Sequence, residues 1–139
     1  MLMIDGVRRE DILWTYTEAQ AEISNAMCSM DDDEVSDRFI ANRLYSALYS
    51  LTEMILLVHN NNDIPSDIVS RVAMVDVEEG YRYVPNECRR LLEDRYTLDR
   101  ECLSGIAQVI DCWACMLGNK YNRYLTDKSA SEYVRALVS

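Results

Sequence analysis

Residues 39–58, FIANRLYSALYSLTEMILLV, decide the fold. Ile40, Leu44, Ala47, Leu51, Ile55 and Val58 step by four and three, the spacing of one face of an α-helix. Phe39, Leu48, Met54 and Leu57 widen that face enough to meet more than one neighbour, so the stretch is read as a central helix. It ends at His59-Asn60-Asn61-Asn62-Asp63, where short polar side chains compete with the helical backbone and tolerate left-handed turns.

Before this helix, Ile12, Tyr16, Ala19, Ile23, Ala26 and Met30 form a second helical stripe over about Arg8 to Met30, with Glu18 and Glu22 off it and facing water. The run Asp31-Asp32-Asp33-Glu34 then reads as a helix start, because carboxylates there accept orphan amides and complement the helix dipole. After the central helix, Pro65-Ser66-Asp67 opens a shorter segment with Ile68, Val72 and Val75 on one face and Gly80 as its stop. Its valines, with the alternation Tyr81-Arg82-Tyr83-Val84, leave a short hairpin over 69–84 as the alternative. A helix from about Asn86 carries Leu91 and Leu92 and either breaks near Tyr96-Thr97 or runs on. Leu98, Cys102, Ile106, Val109, Trp113 and Met116 make another long helix, closed by Gly118-Asn119. Ser129 and Glu132 have capping-box spacing before a terminal helix bearing Ala130, Tyr133, Val134 and Leu137. The expectation is an all-α fold: an irregular antiparallel bundle of five or six helices, one domain over 1–139.

Composition agrees with a folded chain. Hydrophobic residues make up 49% and charged residues 27%, with four Gly and two Pro, which excludes a disordered or collagen-like sequence. The N-terminus lacks a basic stretch followed by a long apolar run, and the longest apolar segment is Met54 to Val58, so neither a signal peptide nor a membrane span is expected. An odd number of cysteines, five, reads as reduced thiols in a cytoplasmic protein.

Charge says most about partners. With 24 Asp and Glu against 14 Lys and Arg, the net charge is −10, and such a surface repels phosphate and draws in basic partners. Direct nucleic-acid binding is disfavoured, since little counterion release is available to it. Arg89, Arg90, Arg95 and Arg100 are interleaved with Glu87, Glu93, Asp94, Asp99 and Glu101, so ion pairs explain them without a phosphate ligand.

No catalytic, cofactor or metal signature stands out. Cys112-Trp113-Ala114-Cys115 lies late in its helix, where the dipole has the wrong sign for an activated thiol, and no second close pair completes a zinc site; the pair is read as core packing. His59 is the only histidine and is read as a helix-end residue. The acidic run lacks the alternating spacing of a calcium loop. Glu18 and Glu22 have no nucleophile or attached base beside them, so the chain is not read as an enzyme. Nine tyrosines against one phenylalanine place aromatic rings at boundaries between core and surface.

Asn42-Arg43-Leu44-Tyr45-Ser46-Ala47-Leu48-Tyr49 resembles the central helix of HEPN-type helical bundles, over that one helix. Active, RNA-cleaving members carry Arg followed a few residues later by His in a late helix. The histidine here lies early, with no arginine at that spacing, so nuclease activity is not carried over.

The functional expectation is an acidic helical binding protein, of the immunity-protein, antitoxin or phage-encoded inhibitor type, that occludes a basic, nucleic-acid-handling partner such as a nuclease toxin. Its expected contacts are Asp31, Asp32, Asp33, Glu34 and Asp37, with Glu78, Glu79, Tyr81 and Tyr83 as a second patch. The alternative is a homodimeric scaffold using wide apolar helix faces with Trp14 and Trp113.

Overall fold

The computed structural model describes residues 6–61, 63–80 and 82–125, with side chains from Arg9 onward. Six helices account for nearly all of this, and no strand occurs among the described residues. The expected terminal helix beyond Ser129 lies outside them.

Helix α2, Asp37–Val58, is the centre of the bundle: it packs against α1 (Gly6–Ser29), α3 (Ile68–Glu79), α4 (Asn86–Asp94), α5 (Arg100–Lys120) and the 3₁₀ turn Arg95–Thr97. Its buried set, from Ile40 through Leu44, Leu48 and Leu51 to Ile55, covers most of its circumference, as a helix with neighbours on several sides requires. Phe39 departs from the expected face and is 43% exposed, lying instead under the Arg43 guanidinium. α1 buries Ile12, Tyr16, Ala19, Ile23 and Ala26 as its stripe requires. It runs antiparallel to α5, since the Tyr16 hydroxyl donates to Ala114 O at 2.8 Å while Arg100 reaches Ser29 at the other end. A single turn, α6 (Asn122–Leu125), closes the described chain.

Two local expectations are corrected and one alternative is decided. The acidic run does not start α2; Ser36 is the N-cap, its side chain accepting the Phe39 N–H at 3.1 Å, and residues 31–34 form the turn before it. Over the described residues of 69–84 the helix closed by Gly80 is found, and its hairpin alternative falls. The Asp67 carboxylate accepts the Ser70 N–H at 3.0 Å and starts α3, whose valines bury one helical face; Gly80 stops it at φ +121, a conformation that L side chains rarely adopt. Arg82, at φ +60, breaks the extended alternation that favoured a strand. The second correction is Gly118, which does not end its helix, for α5 continues to Lys120.

Gly118 has a packing role instead. A Cβ there would lie 2.3 Å from the Tyr16 hydroxyl oxygen, which is fixed by its bond to Ala114. Gly118→Ala is therefore expected to cost about 1–3 kcal/mol through overpacking. Thermal melts check this: the cost should shrink when the same change is made in a Tyr16→Phe background, and an equal cost in both would remove the contact as its cause.

A buried cation fastens α3 to α2. Arg71 is 5% exposed; its guanidinium donates to Tyr49 O at 3.2 Å, to the Tyr49 hydroxyl at 2.9 Å and to Pro65 O, and sits 3.7 Å above the Tyr49 ring centre. Burial of a guanidinium is tolerable because its donors are satisfied in this way.

Candidate functional site

The expected contact residues divide into two groups with different surroundings. The first is the turn between α1 and α2. Arg100, at the start of α5, reaches across it: Nη1 donates to Ser29 O (3.2 Å), Met30 O (2.7 Å) and Asp32 O (3.2 Å), Nη2 to Val35 O (2.5 Å), and Nε to Asp37 Oδ1 (2.7 Å). One guanidinium thus gathers the last carbonyl of α1 with three carbonyls of the turn that follows it. Asp32 Oδ1 accepts the Glu34 N–H at 3.0 Å and tightens the turn further. The backbone faces inward onto a cation. Asp31, Asp32, Asp33 and Glu34 are all exposed, and among the described residues Asp37 alone of the five acids has an ion-pair partner, Arg100.

In the second group, His59 lies against both Glu78 and Glu79, and Lys120 donates to both Glu79 and the Tyr83 hydroxyl, so Glu78, Glu79 and Tyr83 meet around inner partners and not as one open surface. Glu78 is exposed, Tyr83 is half-buried with its ring edge-on to Trp113 at 6.2 Å, and Tyr81 lies outside the described residues. Glu79 is turned into the fold, its side chain 8% exposed. Its Oε1 receives the His59 Nε2–H at 2.7 Å and the Tyr121 hydroxyl, and its Oε2 receives Lys120 Nζ at 2.5 Å. Burial pushes the Glu79 carboxyl up, but the bonds from Lys120, Tyr121 and His59 and the Lys120 charge outweigh it and hold the group down at about 2. Burial and the bond to Glu79 together push the Tyr121 hydroxyl up. Glu79 is therefore an internal acceptor joining the C-terminal ends of α2, α3 and α5. A carboxyl ionised at every ordinary pH is unsuited to proton transfer near neutrality.

His59 caps α2 as expected, its N–H donating to Ile55 O at 3.1 Å, with Asn60 left-handed at φ 63. Its ring has a role the sequence does not disclose, because Nδ1 also lies 3.7 Å from Glu78 Oε2. Two of the four arginines read as ion-paired are so among the described residues, with acids outside the interleaved run. Arg89 holds Asp76 of α3 at 2.8 Å, Arg100 holds Asp37, and Arg95 lies over Tyr45 and Tyr96 at 4.1 and 4.6 Å.

The cysteine pair is corrected: Cys112 and Cys115 are both exposed, and it is Trp113 between them, 5% exposed, that enters the core. Residues three apart share a helical face, so Cys112 and Cys115 turn outward together while Trp113 and Ala114 face the core. Cys88 is the buried thiol, pushed up to about 12 by burial. Among the described residues no three of His, Cys, Asp and Glu converge as a metal-holding group, and no helix is long and apolar enough to cross a membrane.

Comparison with protein families, with curated proteins and with solved structures returns no match for this chain.

Proposed function

We propose that this chain is an acidic helical binding protein that occludes a basic, nucleic-acid-handling protein partner, in the manner of an immunity protein, an antitoxin or a phage-encoded inhibitor. The observation that carries the reading is the turn at 31–34: four exposed acidic side chains on a backbone braced by Arg100, in a chain of net charge −10. A site that holds phosphate must be positive, and a fixed group of carboxylates competes for it while the field of the whole chain speeds encounter. Because the backbone is already held, binding forfeits little loop entropy. Asp31, Asp33 and Glu34 are the contacts this reading favours, with Glu78 as a separate exposed carboxylate.

The experiment is association kinetics with the captured partner over a range of ionic strength. Asp31→Asn, Asp33→Asn and Glu34→Gln combined are expected to slow association about tenfold at low salt, with little change in melting temperature, and the difference should vanish at high salt as screening removes it. Capture of only neutral or acidic partners, or a rate indifferent to both salt and these changes, would remove the proposal.

A homodimer is the second reading, favoured by Trp14, which is 62% exposed on α1. Light scattering decides it: a monomer at micromolar concentration eliminates this alternative.

A further inference from the structure

A cleft of about 430 Å³ lies between α1 and α2, a volume within the range of small-molecule sites. On the α1 side it is lined by Glu18 and Glu22, one helical turn apart; on the α2 side by Arg43, Tyr45, Ser46 and Ser50, with Tyr49 beside them. The charged donor of this lining is engaged through one of its nitrogens, while its Nε is buried with no hydrogen-bond partner. Arg43 Nη1 donates to Glu22 Oε1 at 3.4 Å and lies 3.2 Å from Oε2, which is left buried without a hydrogen bond in line.

The rest of the lining is largely polar. The Glu18 carboxylate and the hydroxyls of Tyr45, Ser46 and Ser50 have no hydrogen-bond partner among the described residues. A carboxylate accepts only, so a ligand that meets Glu18 brings donors, best with positive charge, and the neighbouring hydroxyls can accept from the same group. The tyrosines carry the same preference in their rings: Tyr45 already seats the Arg95 guanidinium at 4.1 Å, and Tyr49 that of Arg71 at 3.7 Å.

We infer that this cleft receives an arginine side chain of the basic partner, its guanidinium meeting Glu18 and the hydroxyls of Tyr45, Ser46 and Ser50. The inference rests on the basic-partner reading and adds a pocket to it, on the flanks of the two helices that the exposed turn joins. Long-range attraction comes from the turn and the net charge, whereas the cleft supplies a planar, forked recognition that lysine does not match.

Titration of the isotope-labelled full chain with N-acetyl-arginine amide, followed by amide chemical shifts, tests it. Saturable shifts are expected at Glu18, Tyr45, Ser46 and Ser50, with none from the isosteric, neutral N-acetyl-citrulline amide. Glu18→Gln, at an exposed position, should weaken the arginine compound about tenfold. The triple substitution in the 31–34 turn should leave that affinity unchanged. Equal shifts from citrulline and arginine, shifts from inorganic phosphate at the same residues, or arginine shifts confined to the turn would each overturn the cleft assignment. If the cleft stays silent while the turn substitutions still slow association with a basic protein, only this inference falls. If neither the arginine compound nor a basic protein responds to any of these carboxylates, the reading beneath it falls too.

Discussion

Glu79→Gln is expected to destabilise the fold by about 3 kcal/mol, at the low end for breaking a buried ion pair because Lys120 can turn toward water. The carboxylate is the common acceptor for His59, Lys120 and Tyr121, and a neutral amide satisfies them less well while adding donors of its own. In a chain of this size the loss corresponds to a fall of about 10 °C in melting temperature. Glu78→Gln, one residue away and exposed, is the control and should stay within about 0.5 kcal/mol.

The pH dependence has a definite sign. The Glu79 carboxyl is lowered from 4.5 to about 2, so its contribution is complete above about pH 4.5 and disappears as pH falls through 2. Wild type and Glu79→Gln should therefore differ most at neutral pH, and their melting temperatures should converge on acidification. Asp67 and Asp99, which cap α3 and α5, are also lowered by their hydrogen bonds to Ser70 and Cys102, but both titrate alike in the two proteins and cancel in the comparison. Parallel curves from pH 7 to pH 2 would show that Glu79 is not the acceptor described.

Arg100→Met is expected to cost a similar amount, about 3 kcal/mol, since carbonyls of Ser29, Met30, Asp32 and Val35 lose a charged donor together. Lysine should recover only a minor part, because an ammonium cannot reach Asp37 with one nitrogen while serving the carbonyls with two others. Hydrogen exchange locates the effect: peptides spanning 29–37 should exchange faster in the variant, while those spanning 44–56 change only as far as global stability does. Uniform acceleration over the whole chain would show that Arg100 supports the bundle at large and not this turn.

The helices were legible wherever burial follows a single period. α2 could be read because apolar residues recur over five turns, and the stripe of α1 because Ile12 to Ala26 keeps the same spacing. α3 was ambiguous because valines suit strands as well as helices, and the Asp67 cap and Gly80 stop decide between them only once tertiary packing is present. Gly118 looked like punctuation because a glycine required by a neighbouring Tyr16 hydroxyl has no local signature. The candidate site was less legible still. The acidic residues at 31–34 could be named, but not the arginine that braces them, which lies more than sixty residues away in the chain. Glu79 resembled Glu78 in sequence, and only Lys120 and Tyr121, about forty residues further on, distinguish an internal acceptor from a surface carboxylate. Side chains from the ends of three helices meet there, and no spacing rule links them.

The turn at 31–34 separates two properties that usually vary together in a loop. Its course is dictated by Arg100 and by the Asp32 carboxylate on the Glu34 N–H, whereas the side chains of Asp31, Asp33 and Glu34 contribute no bond that shapes it among the described residues. Those three positions form an interchangeable cassette: lysines or serines there should present a different chemical face on an unaltered scaffold, so specificity can drift or be rewritten without refolding the protein around it.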